Sequence, residues 1–123
     1  MDYLDNKSND KTLSLKSAFN FLVESLINKL TIDEIVEISE KIFTKEVKSV
    51  FSDNELVRTV KLFFENNLNL SETSKCSFLH RNTLVYRLDK IRKITGLNLR
   101  KFNDAVDFKI ILLLFDKRFG ADI

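Results

Sequence analysis

Apolar residues recur at steps of three and four along most of this chain, as in the run Leu15, Phe19, Leu22, Leu26 and Leu30. Steps of three and four return to the same side of an α-helix, so each such run predicts an amphipathic helix. The 123 residues contain no Pro and only 2 Gly, which β-rich domains normally use at their turns. The sequence therefore predicts an all-α fold, a single helical bundle.

Helix-capping sequences mark where the predicted helices begin and end. "TIDE" at 31–34 and "SDNE" at 52–55 have the Ser/Thr-x-x-Glu form of a capping box, in which side chains bond the first free amides. Gly96 is expected to end one helix as a left-handed cap, and Asn103 to begin the last helix as its N-cap. The predicted helices span about 12–30, 32–50, 53–64, 71–78, 81–94 and 104–119.

Composition limits the class of protein. The longest strongly apolar stretch, residues 110–115, is far shorter than the roughly 20 residues of a membrane span, so no membrane partner is expected. Residues 1–11 are polar and lack the pattern of a signal peptide, and they are expected to form a disordered arm. The single cysteine, Cys76, is predicted to be a small core residue, which fits a cytoplasmic protein without disulfides.

Positive charge is concentrated in one segment. Residues 71–101 contain eight Lys or Arg and two carboxylates, a net charge of +6, whereas the whole chain is at +2. Such a concentration is expected of a protein that binds a polyanion. A solvent-exposed helix face without any partner can show the same excess, so charge alone does not separate the two interpretations.

The same segment has the pattern of a helix-turn-helix, a short helix, a tight turn and a longer helix that enters the major groove of DNA. At 100° per residue, Leu84, Leu88 and Ile91 fall on one side of the longer helix, which predicts a buried stripe. Asn82 and Tyr86 fall on the opposite side, where amide and phenol groups suit base edges and phosphates. An outward Tyr is unusual on a face that meets only water, which favours DNA binding.

The candidate DNA-binding residues lie on this helix and at its two ends. They are His80, Arg81, Asn82, Thr83, Tyr86, Arg87, Lys90, Lys93, Arg100 and Lys101. His80 is interpreted either as a structural residue of the turn or as a phosphate contact. Arg87 borders the buried stripe and is expected to contact either a phosphate or a carboxylate of the scaffold.

A longer pattern runs through residues 56–99: "LHRNTL" at 79–84, "YRL" at 86–88 and "TG" at 95–96. These motifs resemble the C-terminal helix-turn-helix domain of PucR/CdaR-type regulators, over residues 55–119. The resemblance implies a DNA-binding domain. Thr73-Ser74 stands where that family usually has Thr-Ala, and the chain is more loosely similar to the small, dimeric Fis-type nucleoid proteins.

The resemblance also suggests how the chain is organised: a disordered arm at 1–11, a pair of N-terminal helices at 12–52 and the helix-turn-helix domain at 53–119. Regulators of this type usually carry a large N-terminal sensor domain. Residues 12–52 are too few for an effector pocket of ordinary size, so we expect a stand-alone protein without a small-molecule effector. The N-terminal helices are expected to dimerise. The last helix is apolar almost all round, which favours a core or a subunit interface.

The sequence thus predicts a sequence-specific transcriptional regulator, a homodimer that binds double-stranded DNA. Two alternatives remain, an adaptor that forms mixed dimers with a full-length regulator and a Fis-like nucleoid protein. The sequence offers no nucleophile–base pair, no metal-ligand set and no Gly-rich phosphate loop. Neither catalysis nor a metal or cofactor is therefore expected.

Overall fold

A computed structural model describes residues 12–120, which form seven α-helices and no β-strand. The helices are α1 Ala18–Asn28, α2 Ile32–Ile42, α3 Lys45–Phe51, α4 Asn54–Glu65, α5 Leu70–Ser77, α6 Arg81–Thr95 and α7 Phe102–Phe115. A 3-10 turn, Leu15–Ser17, precedes α1, and a π-helical turn, Asp116–Gly120, follows α7. The predicted all-α fold is confirmed. The predicted disordered arm at 1–11 lies outside the described residues.

Two of the predicted caps are present. The Thr31 hydroxyl accepts a hydrogen bond of 3.1 Å from the Glu34 amide, and the Glu34 carboxylate accepts one of 2.8 Å from the Thr31 amide. This reciprocal pair is the capping box predicted at the start of α2. Gly96 ends α6 in the left-handed conformation, at φ 82°.

The single helix predicted over 32–50 is wrong, because the chain forms α2 and α3 there. Phe43 leaves helical geometry at φ −97° and ψ 86°, and the Thr44 hydroxyl caps α3 by accepting a hydrogen bond of 3.1 Å. The break brings the Phe43 ring edge-on to the rings of Phe51 and Phe115, at centroid distances of 5.7 and 5.5 Å. The Thr44 cap and the packing of the Phe43 ring favour two helices here, although the apolar residues continue at helical spacing. The N-terminal segment therefore holds three helices rather than the predicted pair.

Three other helix starts, those of α4, α5 and α7, differ from the prediction by one or two residues, and α1 begins at Ala18 rather than at about residue 12. α4 is capped by Asp53 rather than Ser52, since its carboxylate accepts a hydrogen bond of 3.0 Å from an amide of the first turn. α7 begins at Phe102, so Asn103 lies inside the helix and is not its N-cap. The Asp104 carboxylate in the first turn of α7 instead accepts a hydrogen bond of 2.8 Å from a backbone amide of the preceding loop.

The buried core joins α3, α4, α5, α6 and α7. Its apolar members are Val50, Phe51, Leu56, Val60, Phe63, Leu70, Leu84, Leu88, Ile91, Leu99, Phe108, Leu112 and Phe115. Val50 and Phe51 precede the proposed boundary at 52/53, so the N-terminal segment and the helix-turn-helix share one core.

α7 is covered largely by the chain itself. α1 and α2 pack against it, and Phe108 at its centre is fully buried. The apolar surface of α7 therefore does not require a second subunit. An exposed apolar surface lies on α1 instead, where the side chains of Leu22 and Leu26 are 58% and 57% exposed.

We predict that Gly96→Ala lowers the free energy of unfolding by about 1 kcal/mol. A Cβ at Gly96 would meet no atom within 4 Å, so the left-handed backbone is the whole source of the penalty. Chemical denaturation measures it. Gly120→Ala is the matched control, since a Cβ there makes an ordinary 3.7 Å contact with Asp116. Equal stability of the two variants would contradict the assignment of Gly96 as the cap.

Candidate nucleic-acid interface

α5 and α6 form the two helices of the predicted helix-turn-helix. α5 has 8 residues, α6 has 15, and residues 78–80 join them. A 15-residue helix is about 22 Å long, and a helix of ordinary width fits the B-DNA major groove. The unit therefore has the dimensions that groove binding requires.

The rotation of α6 about its own axis is fixed by three side chains. Leu84, Leu88 and Ile91 are 1%, 4% and 0% exposed, which confirms the predicted buried stripe. Any other rotation would bury charged side chains without partners and expose these three residues. The stripe therefore determines which side chains of α6 face outward.

The exposed side of α6 is polar and mainly cationic, with one carboxylate, Asp89. We give the name outer face to Asn82, Tyr86, Lys90 and Lys93, which lie opposite the buried stripe, and to Arg81 at the helix start. All five are exposed, and Tyr86 is 68% exposed. Within residues 12–120, none of the outer-face cations forms an ion pair. Arg and Asn side chains can pair bidentately with guanine and adenine edges, and Lys ammonium groups can contact phosphates.

His80 is the N-cap of α6. Its Nδ1 accepts a hydrogen bond of 3.0 Å from the Asn82 amide. An accepting Nδ1 places the ring proton on Nε2, which can donate outward from the exposed side chain. His80 thus has the predicted structural role, as the cap of α6. Its Nε2 remains free to make the predicted phosphate contact as well.

Two serine hydroxyls hold the turn between α5 and α6. The Ser74 hydroxyl donates to the Leu79 carbonyl, and the Ser77 hydroxyl accepts from the Leu79 amide at 3.3 Å. Ser77 in turn donates to the Thr73 carbonyl at 2.7 Å. Ser74, which stands where the resembling family usually has Ala, therefore has a partner for its hydroxyl.

Arg87 points toward α4. Its Nη1 donates a hydrogen bond of 2.7 Å to the Thr59 hydroxyl, and its Nη2 lies 3.5 Å from Glu55 Oε1. The Thr59 hydroxyl donates to the Glu55 carbonyl at 3.0 Å, and Thr59 is only 4% exposed. Of the two predicted roles of Arg87, the bridge to the scaffold is the one that the structure contains. This bridge ties α6 to α4.

The remaining predicted residues lie less centrally. Thr83 is half-buried, so it is the least accessible member of the group at the start of α6. Arg100 and Lys101 are exposed in the loop that follows α6, at the far end from Asn82. The structure therefore brings the outer face together and leaves these two cations at its border.

Sequence reasoning missed several residues. Glu55 and Thr59 lie one helical turn apart, but no local signal links them to Arg87. Phe78, in the turn, is 93% exposed. The prediction that Cys76 is a core residue is wrong: its side chain is exposed, because the inner side of α5 is filled by Leu70 and Thr73.

Comparison with known families identifies this part of the chain. Residues 56–114, from the first turn of α4 almost to the end of α7, match the PucR C-terminal helix-turn-helix domain. The chain carries a PucR C-terminal helix-turn-helix domain. The predicted resemblance is confirmed, and α6 is the second helix of the helix-turn-helix within this PucR-type domain.

Several curated proteins share similarity with the chain. The carbohydrate diacid regulator of Escherichia coli (strain K12) is 39% identical over 72 residues, 58% of this chain and 19% of that protein. The purine catabolism regulatory protein of Bacillus subtilis (strain 168) is 27% identical over 90 residues, 73% of this chain and 17% of that protein. YsfB of the same strain, an uncharacterized protein, is 30% identical over 106 residues, 85% of this chain and 29% of its own length.

The chain spans less than a third of the length of these relatives. The expectation of a stand-alone protein therefore stays a prediction. No solved structure gives a significant match. No helix within residues 12–120 is long and apolar enough to cross a membrane. The same residues contain no group of three or more His, Cys, Asp or Glu side chains placed to hold a metal ion.

A cleft of about 450 Å³ lies between α1 and the first turns of α7, and its apolar lining includes Phe19, Phe64 and Phe102. Small-molecule sites occupy roughly 300–1,000 Å³. Of the residues that line this cleft, only Phe19 belongs to the segment 12–52, so the expectation that this segment holds no effector pocket of ordinary size stays a prediction. The absence of an effector stays a prediction.

We predict that Arg87 and Thr59 are energetically coupled. In a double-mutant cycle of Arg87→Met and Thr59→Val, the loss in the double variant should fall short of the summed losses by about 1 kcal/mol. Met keeps the apolar stem of Arg87 while removing the guanidinium. Urea denaturation of the four proteins measures the coupling.

The control cycle pairs Thr59→Val with Arg92→Met, since Arg92 is an exposed cation on the same helix. Those two losses should add. Additive losses for Arg87 and Thr59 as well would contradict the bridge between α6 and α4.

Proposed function

We propose that the chain is a sequence-specific DNA-binding transcriptional regulator that acts as a homodimer in the cytoplasm. In this proposal α6 of each subunit enters the major groove, with Arg81 and Asn82 at the bases and Lys90 and Lys93 at the phosphates. The uncovered outer face of α6 is the observation that carries it. An exposed amide, a phenol and two Lys ammonium groups lie on the side of α6 opposite its buried stripe, and the Arg81 side chain is exposed at the helix start.

Electrostatics supports the same orientation. The segment 71–101 has a net charge of +6, whereas residues 1–54, with seven Lys and ten Asp or Glu, have a net charge of −3. A polyanion is attracted to the first segment and repelled by the second. The PucR-type domain would therefore approach DNA with α6 leading and the N-terminal helices away from the duplex.

The homodimer is supported by an apolar stripe on α1. Leu22 and Leu26 lie about 40° apart at 100° per residue, and Leu15 lies in the 3-10 turn that precedes the helix. They are 58%, 57% and 80% exposed. Phe19, Val23 and Ile27, on the adjoining side of α1, are half-buried. The stripe thus extends beyond the surface that α1 already uses, as expected of a helix that packs on a second copy.

A two-fold dimer would place its two α6 helices in successive major grooves, ~34 Å apart, on an inverted repeat. The names of two relatives, the carbohydrate diacid regulator and the purine catabolism regulatory protein, support a regulatory role. The adaptor and the nucleoid protein remain the alternatives. An adaptor would not lose affinity when the outer face is altered, and a nucleoid protein would not distinguish specific from random duplexes.

We predict that Asn82→Ala weakens binding to a duplex selected from a random pool by about tenfold to a hundredfold, because a bidentate base contact is lost. Binding to random duplexes should change little. Lys93→Ala should weaken both and lower the slope of log affinity against log salt by about 1. Fluorescence anisotropy over a range of salt concentrations measures both effects.

Asn28→Ala serves as the control, since Asn28 is an exposed Asn at the end of α1. It should bind as the wild type does. Equal binding by Asn82→Ala and Asn28→Ala would contradict base recognition by the outer face. Equal wild-type affinity for selected and random duplexes would favour the nucleoid alternative.

We predict that Leu22→Glu combined with Leu26→Glu converts the dimer to a folded monomer and reduces affinity for an inverted repeat to that of a single half-site. Both side chains are exposed, so the fold of the subunit should survive. Phe21→Glu is the matched control, because Phe21 is 57% exposed on the same helix but 100° from Leu22. Sedimentation velocity that finds a monomeric wild type at micromolar concentration would contradict the proposal.

A further inference from the structure

Phe78 combines two features that are each unfavourable for a phenylalanine. Its backbone is left-handed, at φ 59° and ψ 25°, where a Cβ crowds the following carbonyl and where Gly is at ease. Its side chain is 93% exposed, so the ring gains almost nothing from burial. Strained residues persist where the surrounding structure holds them, and they cluster at functional sites.

The other left-handed residues each have a compensation that Phe78 lacks. Gly96 and Asn67 are of the types that tolerate this conformation. Leu68, at φ 63°, is partly buried and packs against the core. Among residues 12–120, Phe78 is the one left-handed residue that is not of a type tolerating this conformation and whose side chain does not pack against the core.

The turn presents the Phe78 ring outward in a defined way. Ser74 and Ser77 bond the carbonyl and the amide of Leu79, the next residue. Because both polar backbone groups of Leu79 are engaged, the turn cannot relax to fold the ring inward without breaking those bonds. The exposure of Phe78 is therefore a property of the turn rather than of a loose segment.

The surroundings of Phe78 favour nucleic acid over protein as its partner. Phe78 lies three residues before Arg81, the first residue of α6, and the N-terminal end of that helix is the part that reaches base edges. The exposed charged groups of the segment 71–101 are mainly cationic, and the segment has a net charge of +6, whereas a protein-docking surface needs further apolar groups beside the ring. The apolar group that the major groove offers is the 5-methyl of thymine.

We propose that Phe78 contacts a thymine 5-methyl group at the rim of the bound major groove and so adds preference for a T·A pair beyond those contacted by the outer face. In this proposal the ring is buried only in the complex with DNA. That burial offsets the strain of the left-handed backbone and explains why the ring is exposed in the free chain. This inference rests on the proposed DNA-binding function.

The variant Phe78→Asn separates the contribution of the aromatic ring from that of the backbone of the turn. Asn tolerates the left-handed backbone, so the turn is kept while the aromatic group is lost. On the duplex that the wild type selects from a random pool, this variant should bind at least about fourfold more weakly, the equivalent of one buried methyl group. Its midpoint of thermal unfolding should equal or exceed that of the wild type, since strain is relieved.

Replacing the thymines of that duplex by uracil, one at a time, removes single methyl groups. At one position the wild type should lose about fourfold in affinity, while Phe78→Asn should lose nothing. Phe102→Asn is the matched control, because Phe102 is 73% exposed but lies beyond the opposite end of α6. It should keep the wild-type affinity and the wild-type response to uracil.

Equal affinity of Phe78→Asn and the wild type would overturn the inference and leave DNA binding intact. Uracil penalties that persist unchanged in Phe78→Asn would overturn it too, because the methyl contact would then belong to another residue. If the wild type binds no duplex at all, the proposed function is overturned and this inference with it.

Discussion

The orientation of α6 depends on one constraint, the burial of Leu84, Leu88 and Ile91 in the core shared with α3, α4 and α7. Fully burying a side chain of this size contributes roughly 1.5–3 kcal/mol, so three of them strongly favour one rotation of the helix. Arg87 adds a polar constraint to the apolar one by bonding Thr59 and Glu55 of α4. The outward direction of the polar side chains follows from these inward contacts.

In the turn that precedes α6, stabilising hydrogen bonds surround a residue whose own conformation is unfavourable. His80 caps the helix, and two serines hold the backbone of Leu79, so the N-terminal end of α6 is well ordered. Phe78, in the same turn, is held in a conformation that costs stability on its own. A rigid frame that carries one unfavourable residue is the arrangement expected where binding, rather than folding, benefits from that residue.

The sequence predicted what depends on neighbours along the chain. The capping box at Thr31, the Gly96 cap and the buried stripe of α6 follow from local spacing, and the structure contains all three. The break between α2 and α3 could not be predicted from the period alone, because it depends on rings that are distant in sequence, such as Phe43 and Phe115.

The parts of the candidate site that depend on local spacing could also be predicted from the sequence. Four members of the outer face, Asn82, Tyr86, Lys90 and Lys93, follow from 100° per residue once the buried stripe is known. The contact of Arg87 with Thr59 spans 28 residues, and only the packing of α6 on α4 reveals it. Exposure of Cys76 and of the Leu22 and Leu26 side chains depends likewise on which side of each helix its neighbours cover. The sequence shows that a helical position is apolar or neutral, but it does not show which helix covers that side.

The central claim is that the outer face of α6 contacts duplex DNA. The most direct test is a titration of the ¹⁵N-labelled chain with a duplex selected from a random pool, followed by amide chemical shifts. We expect the largest shifts between His80 and Lys93, with α1 and α2 nearly unchanged at protein concentrations where the free chain is already a dimer. Saturable binding that leaves the amides of α6 unperturbed, or that perturbs α1 and α2 instead, would contradict the account.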